Sequence, residues 1–415
     1  MIERYRRWGI HLILFLVTLT TTTFAGTEWQ FMRFVGWDAH PITWEWFVKG
    51  FAFSLPFLGV LTIHEFGHYF TAKWHKVKVT LPYYIPFWFG FLGWIGLYGL
   101  PSIGTMGAVI RIKDHINSRK QFFDIGIAGP LAGFIAALGV LYYGFTHLPP
   151  KENIYEIHPE YQYFGDDFEE IVYQQDTFFL TKDYEQQFGP APTYWPDTMR
   201  FGPSDASFAL GSNLLMTFFE EYVAPEGDWV PNPYEIIHYP WIFAGYLALF
   251  FTALNLIPIG QLDGGHILYG LIGAQWHQKV SATLFILFVF YAGLGTVTMT
   301  DMFIESVWGV PLFYISFPFY LMFLYILFSR LTRSPQTNLM VAVAIFTTQF
   351  LISSYLNVQG YAGWLVFAFL IGRVLGIYHP VTLINEPLSS GRKVLGWIAL
   401  LVFVLCFTPN PFGTS

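Results

Sequence analysis

Long apolar runs separated by short polar breaks dominate this chain. They lie near 8–25, 46–72, 122–146, 236–257, 281–298, 308–329, 337–356, 360–378 and 394–410. A helix needs about 20 apolar residues to cross a bilayer. A few of these runs are short or interrupted by Gly and Pro. The pattern predicts an all-α polytopic membrane protein with about eight or nine transmembrane helices. Composition agrees: 54% of the residues are hydrophobic and 12% are charged, against roughly 25% charged in ordinary globular chains. Aromatic residues at 20% suit interfacial belts and lipid-facing helices.

The N-terminal MIERYRRWGIHLILFLVTLTTTTFAG has basic residues ahead of an apolar run. A signal peptide shares that layout, but here threonines and the bulky GTEWQF follow, so an uncleaved first span is expected. Lys and Arg then set orientation. Arg4, Arg6 and Arg7 precede span one, and Lys73, Lys76 and Lys78 follow span two. Arg111, Lys113, Arg119 and Lys120 precede span three. Arg330 and Arg333 follow span six, and Arg392 and Lys393 precede the last span. An alternating path with a cytoplasmic N-terminus places all of them on one side. No acid-poor, Arg/Ser-rich transit segment is visible, so a bacterial plasma membrane is the expected setting.

Two segments interrupt the spans. Residues 148–235 carry 17 Asp and Glu against 3 Lys and Arg. Alternation puts this insert outside the cytoplasm. Its tyrosines, phenylalanines and prolines suggest a small folded lobe rather than a linker. Residues 81–121 are apolar yet broken by Pro and Gly, which argues against one straight helix. Such backbone at membrane depth must be buried in protein or line a wet cavity. Gly104 to Ile112 has β character and reads as an exposed strand edge, while the aromatic run Tyr83 to Trp94 reads as packing at the lipid interface.

The chemistry starts at His64-Glu65-Phe66-Gly67-His68, inside the second apolar run. Ionisable groups there are costly unless they face a protected polar site. On a helix the two histidines lie one turn apart on one face, where both can hold one zinc ion. Glu65 beside them is placed to take a proton from water. A working zinc site usually has a third protein ligand. The only cysteine, Cys406, is in a C-terminal apolar run, which excludes an intrachain disulfide and a thiolate cluster within one chain. The third ligand is then another His, Asp or Glu. The best location is the end of span four, where Asn255 is followed by LIPIGQLDGGH, ending at His266. Pro258 ends a helix, and Gly264 and Gly265 permit a tight turn and close backbone approach. Asp263 sits on that bend, with His266 close by. The charge argument puts the bend at the same membrane face as His64 and His68. Asn255, polar within an apolar span, is a donor either to a substrate strand and its developing oxyanion or to a neighbouring helix.

HEFGH followed much later by NLIPIGQLDGGH resembles the site-2 protease family of intramembrane zinc metalloproteases. The resemblance extends to Gly104–Ile112 and to Asp124-Ile-Gly-Ile-Ala-Gly-Pro-Leu-Ala-Gly133, and covers about 45–146 and 236–298. It implies His64 and His68 as zinc ligands, Glu65 as the base and Asp263, rather than His266, as the third ligand, with one zinc ion per chain. It also implies a membrane-dipping β-hairpin in which Gly104, Thr105, Met106 and Gly107 take up an unwound substrate by strand addition. Residues 148–235 show no PDZ pattern, which points to the branch lacking that domain.

The expected domains are 1–45, an N-terminal span and outer loop; 46–146 and 236–298, two halves of a protease core; 147–235, the acidic insert; and 299–415, a C-terminal transmembrane extension. The expected partners are a transmembrane protein substrate and the lipid bilayer. A net charge of −7 with no long basic tract excludes nucleic acid. A metal transporter using the same ligands is the rival reading, although no internal repeat is visible and Glu65 would then lack a task. A non-catalytic scaffold would not need the full set of ligands and base. His11, His75, His115, His277 and His379 lack ligand spacing and read as ordinary polar residues.

Overall fold

A computed structural model describes residues 2–35, 42–96, 101–174, 176–193, 195–201 and 209–413. They form a mostly helical protein. Four helices are long and apolar enough to cross a membrane: Trp8–Phe31, Trp44–Trp74, Arg119–Thr146 and Pro335–Leu356. Three shorter apolar helices, Pro240–Leu256, Phe313–Phe328 and Trp364–Leu375, accompany them. Two further helices, Asp263–Ala292 and Ser390–Cys406, complete the order in which the apolar runs occur. The fold is that of a polytopic helical membrane protein.

The fifth of these runs differs most from its helix. It was expected from 281, yet the helix begins at Asp263 and is broken at Gly273, whose φ of 77° and ψ of 173° are not helical. The opening DGGHILYGLIGAQWHQK is too polar and too rich in glycine to register as an apolar run. Its two histidines face protein rather than lipid: His266 and His379 are paired at 2.8 Å, and His277 is buried within the helix. His277, on the helix, and His379, in the loop after Leu375, are both buried in a packed interior.

Lipid tails are as apolar as leucine, so spanning helices associate through close packing of small residues and through interhelical hydrogen bonds. The Arg119–Thr146 helix carries Gly129, Gly133 and Ala137 at every fourth position, which puts them on one face. That face meets the Phe51–Trp74 helix, hereafter the histidine helix. Gly67 reciprocates: a Cβ there would lie 2.6 Å from the Ala128 carbonyl oxygen. Farther along, Phe53 stacks on Phe57 and on Phe243 with centroids 5.4 and 5.2 Å apart. Such pairs add about 0.5–1.5 kcal/mol beyond their area. The Ser390–Cys406 helix returns to this core through Ala399, Val402 and Cys406. A second apolar cluster, including Phe285, Leu324, Phe328 and Ala342, holds the preceding C-terminal helices together.

Three of the basic clusters meet at one end of the bundle. His75, at the end of the histidine helix, lies with Nε2 2.8 Å from Asp124 Oδ2. Arg392 donates to the same carboxylate from Nε at 2.7 Å and from a terminal nitrogen at 2.9 Å. Arg119 Nε donates to the Gly270 carbonyl at 3.0 Å. The sequence positions 73–78, 119–120 and 392–393 thus share one end, as charge counting expected.

The segment 81–121 contains a two-stranded hairpin. Tyr83–Phe87 runs antiparallel to Gly104–Val109, with Tyr83 opposite Val109, Phe87 opposite Gly104 and an irregularity between Tyr84 and Pro86. The second strand was expected. The first corrects the reading of Tyr83 to Trp94 as interface packing alone. Pro86 hid it, because proline is depleted from strands except at edges and bulges. Residues 97–100 of this segment lie outside the described residues. Thr21 of the first helix donates to the Gly104 carbonyl at 2.8 Å and so anchors the hairpin.

The acidic insert is a folded lobe. It contains the helices Phe168–Gln174, Thr181–Phe188 and Leu214–Tyr222, several 3-10 turns, and a hairpin of Thr177–Leu180 with Thr198–Phe201. Ile154, Tyr161, Phe168 and Val172 form its small buried core. Asn213 caps the Leu214–Tyr222 helix, its side-chain oxygen accepting from the Leu215 and Met216 amides at 3.1 and 3.0 Å.

Candidate metal centre

His64 and His68 are one turn apart on the histidine helix, and both are buried. Their Nε2 atoms lie 3.0 Å apart. His68 Nδ1 is 2.7 Å from the Ile125 carbonyl oxygen. A neutral imidazole that donates from Nδ1 presents its lone pair at Nε2, so the ring is set to coordinate through that atom. The close approach of the two helices makes this bond possible. A Cβ on Gly129 would overlap the His68 ring, and one on Gly133 would lie 3.1 Å from His64 Cβ. Glycine at both positions leaves a cradle that the imidazoles fill.

The third group arrives from far along the chain. The Pro240–Leu256 helix ends ahead of Pro258, which cannot continue it. The chain turns through Gly260 at φ +63°. Asp263 then opens the next helix as its first residue. It stands just beyond the bend rather than on it. Gly264 and Gly265 are inside the first turn of that helix. A Cβ on Gly264 would overlap the Leu256 carbonyl, and one on Gly265 the Gly260 carbonyl. Both glycines serve close backbone approach, which folds the helix back on the preceding turn. Asp263 Oδ2 thereby lies 3.7 Å from His64 Nε2 and 3.2 Å from His68 Nε2.

His64, His68 and Asp263 each offer one ligand atom, all within 4.8 Å of one another. Two imidazole nitrogens and a carboxylate oxygen are a donor set for zinc. The facing Nε2 atoms and the glycine cradle fit such an ion. His266 lines the same cavity but is not part of this group, and its Nδ1 is 2.8 Å from His379 Nε2.

The group lies on a cavity of about 480 Å³. Glu65 is on its wall, with Oε1 4.0 Å from His64 Nε2. Asn255 is on the wall as well. Of the four hairpin residues singled out, Met106 and Gly107 line the cavity. Gly104 and Thr105 do not. Gly104 packs against the backbone of Thr22, and buried Thr105 bonds its hydroxyl to the Ile85 carbonyl at 3.0 Å. Phe367 and Leu375 also line the cavity. Sequence reading assigned them to an extension outside the core, and no polar or glycine signal marks them. Gly129 and Gly133 had a signal in their four-residue spacing.

The model of Peptidase family M50 matches residues 52–299, more than half of the chain. Among curated proteins, the chain is 26% identical over 225 residues to "Probable zinc metalloprotease EGY2, chloroplastic" of Oryza sativa subsp. indica, covering 54% of this chain and 29% of that protein. It is 26% identical over 216 residues to "Probable zinc metalloprotease EGY1, chloroplastic" of Arabidopsis thaliana, covering 52% and 28%. It is 22% identical over 234 residues to "Probable zinc metallopeptidase EGY3, chloroplastic" of Arabidopsis thaliana, covering 55% and 31%. The chain thus spans about three-tenths of the length of these relatives. No solved structure gives a significant match. Two histidines and an aspartate gathered from opposite ends of the matched region, on apolar helices, agree with the sequence match: the chain belongs to Peptidase family M50, the family of the site-2 proteases.

Proposed function

We propose that the chain is an intramembrane zinc endopeptidase that cuts peptide bonds in or near transmembrane segments of other membrane proteins. The observation that carries this reading is the convergence of His64, His68 and Asp263 on one cavity with Glu65 and a strand edge that has no partner among the described residues. His64 and His68 through Nε2 and Asp263 through a carboxylate oxygen would hold one zinc ion. When bound, zinc supplies Lewis acidity, drawing electron density from water or a peptide carbonyl. Glu65 takes the proton from the attacking water and returns it to the leaving amine. Asn255 donates to the substrate backbone or to the carbonyl oxygen as charge develops there.

A helical substrate hides its carbonyls in internal hydrogen bonds, so the scissile segment must be extended. The hairpin has two strands only among the described residues. Its Gly104–Val109 strand runs along the cavity from Met106 onward. We assign that edge to substrate capture by strand addition. Gly104 fixes the strand to the first helix, and Thr105 ties it to the Tyr83–Phe87 strand. Eight or nine spans with a cytoplasmic N-terminus and a hairpin dipping into the membrane are the topology that the shared end of the basic clusters supports. The insert at 147–235 then lies on the outer side, between the two halves of the core, and the helices of 299–415 extend it.

The test is Glu65→Gln. The variant should retain zinc and lose cleavage of a transmembrane substrate. A membrane metal transporter with the same ligands would behave otherwise. Zinc flux that depends on Glu65, with no cleavage by the wild-type chain, overturns the proposal.

A further inference from the structure

A second buried set of metal-type donors lies where the insert meets the bundle. His158 stands just ahead of the Pro159–Tyr163 turn. Glu235 and His238 flank and end the short Ile236–His238 turn that leads into the Pro240–Leu256 helix. One ligand atom from each lies within 4.8 Å of the others. The two Nε2 atoms are 3.2 Å apart, and Glu235 Oε2 is 3.5 Å from His238 Nε2.

Both Nδ1 atoms are already committed. That of His158 is 3.0 Å from Glu160 Oε1, and that of His238 is 2.6 Å from the Gln30 carbonyl oxygen. Rings that donate from Nδ1 turn their lone pairs at Nε2 toward each other. Without an ion, one ring must carry a second proton at Nε2 and donate it to the other across 3.2 Å, whereas a cation beside them makes both nitrogens ligands. A carboxylate and a backbone carbonyl behind the two rings are the usual supports of metal-bound histidine. Glu235 is 1% exposed. Its Oε1 accepts from the Tyr161 hydroxyl at 3.3 Å. Its Oε2 is buried without a hydrogen-bond partner among the described residues. An unpaired buried carboxylate oxygen is costly. The arrangement repeats that of His64, His68 and Asp263: two Nε2 atoms about a bond length apart in hydrogen-bond terms, and one carboxylate oxygen facing them.

We propose that His158, Glu235 and His238 bind a second metal ion, a borderline divalent cation such as zinc, apart from the cavity that holds Glu65. Nitrogen and carboxylate donors favour that class of ion. The site joins the insert to the start of the Pro240–Leu256 helix. Through Gln30 it also reaches the end of the first long helix. A cavity of about 310 Å³, bounded by His147, Asn153 and Tyr239 among others, extends to His238 and gives the ion access. This proposal does not depend on proteolysis.

The experiment counts zinc in the detergent-purified full-length chain after incubation with zinc sulfate and desalting. Wild-type protein should hold two zinc ions per chain. His64→Ala/His68→Ala should hold one, and its cobalt-loaded form should show the visible absorption of a low-symmetry cobalt site. His158→Ala/His238→Ala should also hold one, and adding Asp263→Ala should remove it. The second site is overturned if His64→Ala/His68→Ala, still monodisperse, holds no zinc; that variant keeps His158, Glu235 and His238 intact. The site is also overturned if wild-type protein holds one ion that only the first pair of substitutions removes. A count unchanged by His64→Ala/His68→Ala but lowered by His158→Ala/His238→Ala supports the second site and contradicts the catalytic metal group instead.

Discussion

The ring of His68 fills the space that a side chain on Gly129 would need. Close helix approach and ligand position are therefore one property of the chain. Gly129→Ala should push the two helices apart or turn the ring away from Asp263. Overpacking of this kind costs about 1–3 kcal/mol. The expected outcome is a lower zinc affinity and a lower apparent Tm, measured by metal titration and thermal unfolding in detergent. Wild-type affinity in Gly129→Ala would show that the contact has no bearing on the site.

Asp124 is held by two partners from distant parts of the sequence, His75 and the Arg392 guanidinium. Charged hydrogen bonds are each worth about 1.5–3 kcal/mol. Asp124→Asn should destabilise the packing of the last helix by an amount in that range. Limited proteolysis of the segment before Ser390 should speed up, while zinc content stays at the wild-type level. A fall in zinc content with unchanged proteolysis would contradict this account.

Glu65 is the only proposed proton carrier on the cavity. Positioned acid–base groups typically contribute about 10²–10⁴-fold to rate. Glu65→Gln should lower the cleavage rate by that factor with its zinc content retained. Asp263→Ala should instead lose the metal, because one of three donors is gone. Chelation of wild-type protein should stop cleavage, and added zinc should restore it.

The Met106-to-Val109 edge faces the cavity, and Met106 itself is 56% exposed. Met106→Pro removes an amide that strand addition would use. Cleavage of a transmembrane substrate should slow with KM raised more than kcat is lowered. A soluble extended peptide should lose as much, since it needs the same edge. Wild-type activity of Met106→Pro toward both would contradict capture at this strand.

The insert packs as a folded lobe beside the bundle and lies between the two halves of the proposed core. A gate there would limit which substrates approach. Removing residues 150–230 should broaden the range of proteins cleaved, scored on a panel of substrates with outer segments of different size. Zinc at the His64, His68 and Asp263 group should persist. An unchanged range would remove the gate from consideration.

Much of this was legible in the residue string. His64, Glu65 and His68 sit in an apolar run where ionisable groups need a reason, and that reason proved to be a shared cavity. The location of Asp263 followed from a proline stop and two glycines, and the structure shows those glycines relieving contact with the Leu256 and Gly260 carbonyls. Other features left weaker traces. Tyr83–Phe87 was missed as a strand because Pro86 obscures the pattern. The true start of the helix at Asp263 was missed because its first turns face protein and carry polar groups. His158, Glu235 and His238 are spread over 80 positions without a motif, so only folding brings them together.

Phe367 and Leu375 line the cavity, although they lie beyond the region that the family model matches. Part of the wall around the reacting groups is thus written in a different stretch of sequence from the groups themselves. Drift in that later stretch can reshape what fits without disturbing a single donor. Kinship in the motifs alone is then a poor guide to which proteins two such enzymes would accept.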